Sequence, residues 1–162
     1  EMAWVLLIMG LLVGGVMKGS QLLEQARAYQ LAQHIMTCKR AIETYASQDP
    51  EAYRLAVENP KDLWARLSEN QWITPLESGQ DAPSTVWGGI MTITMSQEMQ
   101  ELYLVVSKKT SPDQGLVTPR QIRLLKAALK GWEDHIEFRD REENVYPKEG
   151  SKSHRYRIFV PL

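Results

Sequence analysis

Residue types that could carry out chemistry are present, but their spacing matches no strong catalytic or metal site. Asp134-His135-Ile136-Glu137 contains metal-binding side chains at the end of a predicted helix, at a spacing unlike that of a strong zinc site. Residues 140–150 are rich in acidic side chains but lack the alternating carboxylates and the glycine of a calcium loop. No nucleophile elbow surrounds any serine. We therefore predict that the protein is not an enzyme and that it has no cofactor and no metal site.

Composition and charge argue against further classes of function. The net charge is −1 at pH 7, which gives no indication of a nucleic-acid-binding surface. The segment GGVMKGS at residues 14–20 has the glycines and lysine of a phosphate-binding loop, but at the wrong spacing and without a preceding strand. Cys38 is the single cysteine, so no intrachain disulfide can form and the fold must be held by packing.

The feature that organises the chain is its apolar N-terminal segment. Residues 2–17 are uncharged, Glu1 precedes them, and Lys18 is the first basic residue. Sixteen helical residues reach ~24 Å, whereas the hydrocarbon core of a bilayer is ~30 Å thick. A secretory signal would have a basic front and a small-residue cleavage site, but this segment has an acidic front and continues into a helical pattern. The remaining interpretations are a membrane anchor and a filament-forming stem.

Residues 21–47 have the periodicity of an amphipathic helix. The apolar stripe of this helix recurs at alternating spacings of three and four residues and consists of Ala28, Leu31, Ile35, Cys38, Ile42 and Tyr45. Charged residues, Lys39 among them, fall between these positions. No proline interrupts residues 1–49, which predicts one continuous rod of ~48 residues. Because the stripe begins near Ala28, we predict an apolar stem at residues 1–27 and a globular head at residues 28–162.

The head sequence predicts a mixed α and β structure. Short helices are expected within residues 50–75, and alternating apolar residues predict an antiparallel hairpin within residues 90–106. A further helix is expected from Thr118-Pro119 to about Trp132, with short strands after it at residues 136–138 and 156–160. The predicted fold class is α+β. A long N-terminal helix, with an apolar projecting stem and an amphipathic half, packs on a roughly four-stranded antiparallel sheet with an extra helix.

The helix that follows Thr118-Pro119 is strongly basic. Its basic residues are Arg120, Arg123, Lys126 and Lys130. They are predicted to form either a solvated face or a contact with the acidic residues 133–143 of a neighbouring subunit, in which each exposed ion pair contributes at most ~1 kcal/mol.

The first residues resemble the start of a known family. Glu1 followed by MAWVLLIMGLLVGGV resembles the mature N-terminus of type IV pilins and pseudopilins, and the resemblance covers roughly residues 1–48. The segment Val86-Trp87-Gly88-Gly89 resembles the entry to the first sheet strand in that family. In these proteins a prepilin peptidase cleaves after a glycine a few residues before the glutamate. The resemblance therefore implies an upstream cleavage site and about four further residues.

The resemblance also implies roles for residues of the stem. Glu1 would meet the N-terminal amine of a neighbouring subunit and set the axial register, since a buried carboxylate must be paired or neutralised. The side chains expected to pack against neighbouring stems are Trp4, Leu6, Leu7, Ile8, Leu11, Leu12 and Val13. Four glycines permit close helix approach, or allow the helix to stretch during packing, and they are Gly10, Gly14, Gly15 and Gly19.

The expected function is that of a structural subunit in a type IV pilus-like filament at the bacterial cell surface. Its partners would be copies of itself in a helical homopolymer, the inner membrane before assembly, the prepilin peptidase and the pilus assembly machinery. No direct contact with nucleic acid is expected. Two alternatives stay open at this point: a pseudopilin of a secretion system, and a bitopic membrane protein with a soluble binding head. An anchored enzyme is disfavoured because no site supports it.

Overall fold

The computed structural model describes residues 2–95, 101–111, 114–132, 134–139 and 155–162. Within these residues the chain forms four α-helices, one short 3₁₀ helix and five β-strands. The helices are α1 Met2–Gln48, α2 Pro50–Glu58, α3 Pro60–Glu69 and α4 Pro119–Ala128, with the 3₁₀ helix at Val86–Gly88. The strands are β1 Ser84–Thr85, β2 Gly89–Met95, β3 Leu102–Lys108, β4 Glu137–Arg139 and β5 Arg157–Pro161.

The first helix is one uninterrupted rod, as the sequence predicts. It runs for 47 residues, or ~70 Å, since no proline breaks its hydrogen-bond ladder. It ends where Asp49 adopts a non-helical conformation and its side chain accepts a hydrogen bond of 2.9 Å from the backbone N–H of Ala52. This bond caps the N-terminus of α2. Pro50 is the first residue of α2, where a backbone N–H would have no partner within the helix, so proline there costs no hydrogen bond.

Two short helices connect α1 to the sheet. Both begin with proline, and Asn59 separates them. The second, α3, buries Leu63, Trp64 and Leu67. These spacings of one, three and four residues define a single apolar face, and that face joins the core beneath α1.

The sheet is antiparallel throughout, in the order β1-β2-β3-β5-β4. The predicted hairpin is present, with Met91 opposite Val106 and Ile93 opposite Leu104. The C-terminal strand β5 lies between β3 and β4. The sheet has one strand more than the roughly four predicted. The additional strand is β1, whose two residues are too few to show an alternating pattern.

A sharp bend leads into β2. Trp87 and Gly88 both adopt positive φ, at 65° and 73°, a conformation that glycine tolerates and tryptophan rarely adopts. Gly89 follows in a tight space, where an added Cβ would approach the Leu116 side chain and the Thr85 hydroxyl to 2.5 Å each. The bend therefore requires glycine at residue 89 for space and favours it at residue 88 for conformation.

The sheet packs on the helices through its inner face and has a second apolar cluster on its outer face. Inner-face residues such as Leu104 and Ile158 belong to the same core as the stripe of α1. On the outer face, Tyr103 and Phe159 meet edge to face, with their ring centroids 6.1 Å apart. The Arg139 guanidinium lies over both rings, 5.4 Å from the first centroid and 4.7 Å from the second. Both faces of the sheet are thus covered, which is consistent with a head held without disulfides.

Helix α4 begins as predicted but ends earlier. Thr118 forms a capping box with Gln121, and Pro119 occupies the first helical position. The helix ends at Ala128, before the predicted end near Trp132. The reason is local, because Gly131 has φ of 91° and the preceding residues form turns. Trp132 consequently lies outside the helix and is 38% exposed.

Candidate functional site: the exposed apolar stem

The most unusual surface of the molecule is the apolar first half of α1. Every residue from 3 to 23 is exposed, and burial begins at Ala28. All seven side chains that the sequence assigns to stem packing are exposed, from 55% for Ile8 to 72% for Trp4. Nothing in the described part of the chain covers them. Their apolar surface is therefore free to pack on something outside this chain.

Exposure on this scale has a clear physical consequence. Single exposed leucines are normal on protein surfaces, whereas a contiguous apolar sleeve marks an interaction surface. Each large side chain contributes roughly 1.5–3 kcal/mol when it leaves water completely. A stem of this composition is thus stable only in a lipid bilayer or against other apolar surfaces.

The described residues contain one helix, Ala3–Gln48, that is long and apolar enough to cross a membrane. Its most apolar 18-residue window has a mean hydropathy of 1.7, and none of that window is buried within the chain. A helix that forms the core of a globular protein would be covered by its own fold, and this one is not. Membrane association through the stem is compatible with these properties.

The four stem glycines are not needed by the fold of a single chain. An added Cβ at Gly10, Gly14, Gly15 or Gly19 would meet no atom within 4 Å. The helix nevertheless continues through all four positions, although each glycine costs ~1 kcal/mol of helix stability relative to alanine. The open space at these positions leaves room for a partner to approach the stem closely.

Glu1 lies outside the described residues, so its predicted role in axial register stays a prediction. The acidic residues 140–150 also lie outside the described residues, so the prediction that they do not bind calcium stays a prediction. Among the described residues, no group of three or more histidine, cysteine, aspartate or glutamate side chains is placed to hold a metal ion. Within Asp134-His135-Ile136-Glu137, the His135 ring lies against Trp132 at a centroid distance of 5.6 Å, and Glu137 pairs with Arg139.

The second half of α1 attaches the stem to the head. All six stripe residues are buried, none of them more than 6% exposed, and they are Ala28, Leu31, Ile35, Cys38, Ile42 and Tyr45. The ring of Tyr45 meets Trp72 edge to face at a centroid distance of 6.0 Å. Burial raises the pKa of the Cys38 thiol to about 12, so the thiol is a small apolar group of the core. His34, beside the stripe, is half-buried, and desolvation lowers the pKa of its imidazole.

Lys39 joins α1 to the rest of the head, a role that the apolar stripe does not reveal. It falls between stripe positions, yet it is only 6% exposed. Its ammonium donates a hydrogen bond of 2.6 Å to the backbone carbonyl of Pro161 and lies 2.9 Å from the Glu43 carboxylate. It also sits 5.4 Å from the centroid of the Trp132 ring. Glu43, four residues later, was the available signal, because a lysine and a glutamate at this spacing share a helix face.

Lys39 thereby joins the helix to the last strand of the sheet. The contact is long in sequence, since it links α1 to β5. A charged group that is almost fully buried is stable only when it is paired and hydrogen-bonded, and Lys39 is both. The head is therefore attached to α1 by the apolar stripe and by the contacts of Lys39 with Pro161, Glu43 and Trp132, which we call the Lys39 clamp.

A second polar contact lies where the stem leaves the head. Arg120, at the start of α4, approaches the Glu24 carboxylate of α1 to 3.3 Å. The Arg120 side chain is nevertheless 64% exposed, in agreement with a solvated basic face, and its contact with a neighbouring subunit stays a prediction. Lys126, from the same set, lies over the Phe138 ring at 5.6 Å from its centroid. Arg123 and Lys130 are exposed.

Comparison of the chain with protein-family models, with curated proteins and with solved structures finds no match. Any conclusion on function therefore depends on the residues and the geometry described above.

Proposed function

We propose that this protein is the structural subunit of a type IV pilus-like filament and assembles through the apolar stem of α1. The observation that carries the proposal is the division of one continuous helix into a fully exposed apolar half and a half that buries one face against a folded head. Such a helix connects the head rigidly to whatever covers the stem. The resemblance of the first residues to the pilin start supports the same function.

In the proposed mechanism, the stem is held by a membrane before assembly and by neighbouring stems afterwards. Transfer from water would provide roughly 1.5–3 kcal/mol per large side chain. Transfer from lipid provides less, because lipid tails are already apolar and close packing must drive the association. The unobstructed glycines suit this second step, since they let helix backbones approach closely.

The head would form the outer surface of the filament. Its grip on α1, through the buried stripe and the Lys39 clamp, transmits force along the helix without a hinge. Glu1 is proposed to set the axial register. A pseudopilin would use the same stem and head in a shorter secretion filament.

A bitopic membrane protein with a binding head is the second candidate. One observation favours it: the helix passes through Gly14 and Gly15 without interruption, as a simple spanning helix would. This candidate predicts a monomer or dimer that stays in the membrane, whereas the filament proposal predicts a polymer released by shear.

The deciding experiment is negative-stain electron microscopy of the sheared surface fraction from producing cells, with mass spectrometry to identify the chain. The filament proposal predicts thin fibres that contain this protein, and a loss of fibres in a Glu1→Ala variant whose head stays folded. Glu58→Ala, at an exposed carboxylate of α2, is the matched control. Retention of all the protein in membranes, with no fibre that contains it, would leave the bitopic and pseudopilin candidates.

A further inference from the structure

A groove lies where the stem leaves the head, between α1 and α4. It has a volume of about 480 Å³ and opens to solvent. The side chains that line it are mainly apolar, and they include Leu22, Ala26 and Tyr29 of α1 and Leu124, Ala127 and Ala128 of α4. The groove combines the last residues of the stem with Tyr29 and with α4, so it extends the exposed stem onto the head.

The groove continues the apolar surface of the stem beyond Lys18. Leu22 and Tyr29 are 63% and 57% exposed, far more than side chains of their size in a core. The groove is shallow on the side of α4, because Ala127 and Ala128 have small side chains. Small residues in a helix wall let a second helix approach closely. The groove is therefore open and shallow enough for a second apolar helix to approach it.

A lipid bilayer does not reach most of this groove. Lys18 sets the boundary of the hydrocarbon, since a charged side chain stays at the interface. Residues 22 and 29 lie roughly 8 and 18 Å beyond Met17 along the helix. The headgroup layer adds only ~5–7 Å on each side of the hydrocarbon core. Most of the groove would thus face water while the protein is anchored by its stem.

The stem of the same chain cannot fill the groove either. The groove is built on α1 itself, and α1 runs as one uninterrupted helix from Met2 to Gln48. The stem therefore leads away from the groove and does not fold back into it. A second copy of the chain carries an apolar helix that can enter.

The geometry holds this groove open in the isolated chain. Arg120 of α4 lies 3.3 Å from Glu24 of α1, and this partly exposed ion pair adds a weak contact between the two helices at this end. The capping box at Thr118 fixes the start of α4, and Ile122 and Leu125 bury its inner face. The outer face, with Leu124 and Ala127, remains available. A preformed groove lowers the ordering cost of binding.

We infer that the groove between α1 and α4 receives the apolar stem of a second copy of this chain. The inference rests on the proposed filament function. It identifies the groove, at the end of the head nearest the stem, as a surface that contacts a neighbouring copy in the filament. It makes the contact asymmetric, because the stem of one copy meets the groove of another. Asymmetric contacts of this kind propagate and generate open filaments, whereas a symmetric contact would stop at a dimer.

The first test identifies the occupant. A photo-crosslinking amino acid replaces Ala127 in the full chain, and irradiated filaments are digested with trypsin and mapped by mass spectrometry. Since the stem has no basic residue before Lys18, it is released as one peptide that ends at Lys18. The inference predicts cross-links from the groove to this peptide. The same amino acid at Ala65, an exposed alanine of α3, should give none. Cross-links to lipid, or to other peptides only, overturn the inference.

The second test fills the groove. Ala127→Trp should lower filament yield by about tenfold or more, the loss typical of blocking a well-packed interface position. Ala65→Trp is the matched control and should assemble normally. Circular dichroism melts of both variants in detergent check that the head stays folded. Normal filaments from a folded Ala127→Trp variant overturn the groove but leave the filament function intact. Wild-type protein that makes no filaments overturns both.

Discussion

At the scale of single residues, the thiol of Cys38 reports on the attachment of α1 to the head. The thiol is fully buried, and burial raises its pKa to about 12. We expect the native protein to resist thiol reagents at pH 8 and to react fully in denaturant. An Ala65→Cys variant supplies an exposed thiol as a control. Rapid modification of Cys38 in the folded protein, measured by mass spectrometry, would show that the second half of α1 separates from the head.

His34 makes the stability of the packing between α1 and the head depend on pH. Desolvation lowers the pKa of its imidazole below the ordinary value of 6.5, so protonation is less favourable in the folded state than in the unfolded one. Its contribution to stability is therefore present above pH 6.5 and is lost as the pH falls through that value towards the lower native pKa. Between pH 7.5 and 5.5, we expect the melting temperature of the His34→Gln variant to fall less than that of wild type. A His135→Gln control should behave like wild type, and equal pH dependence in all three proteins would contradict this account.

At the scale of secondary-structure elements, the Lys39 clamp couples α1 to β5. Lys39→Ala removes a charge-assisted hydrogen bond to Pro161 and leaves its partly buried carbonyl oxygen without that donor. Hydrogen bonds to charged groups contribute ~1.5–3 kcal/mol, so a loss of about 2 kcal/mol in unfolding free energy is expected. Chemical denaturation in detergent measures it. Arg40→Ala, at the exposed neighbouring position, should change stability by less than ~0.5 kcal/mol. Equal losses for the two variants would show that the clamp contributes little.

Substitution of the stem glycines should affect the stability of a single helix and the packing between copies in opposite directions. The paired substitution of Gly10→Ala and Gly14→Ala should stabilise the isolated helix by roughly 0.5–1 kcal/mol per site, because no atom obstructs the added Cβ. The same change should reduce filament yield, since it blocks close backbone approach. Val16→Ile adds a methyl group at an already bulky stem position and serves as control. Undiminished filaments from the double variant would remove the proposed role of these glycines.

The elements also show how far the sequence determines the fold. The absence of proline before residue 50 and the regular stripe of α1 predicted the long helix and its buried half correctly, because both depend on local periodicity. The two-residue strand β1 has no periodicity to detect. The burial of Lys39 could not be predicted from the pattern of α1, because it depends on β5, which lies far away in the sequence. The groove beside α4 was equally hidden, since two distant helices form it.

At the scale of the whole molecule, the head should be independent of the stem. A fragment of residues 28–162 retains the buried stripe and the complete core, and it lacks the exposed apolar segment. We expect this fragment to be monomeric and soluble, as measured by light scattering, with the circular dichroism of an α+β protein. Aggregation of the fragment would indicate that the stripe of α1 is not stably covered by the head.

The central claim is that stems of neighbouring copies bury one another while the heads remain outside. Helical reconstruction of the filaments by electron cryomicroscopy tests it most directly. The account predicts that residues 3–17 lie at the filament axis in contact with other stems, with the heads as the outer layer. Fibres held together by heads alone, with the stems exposed or in lipid, would contradict it.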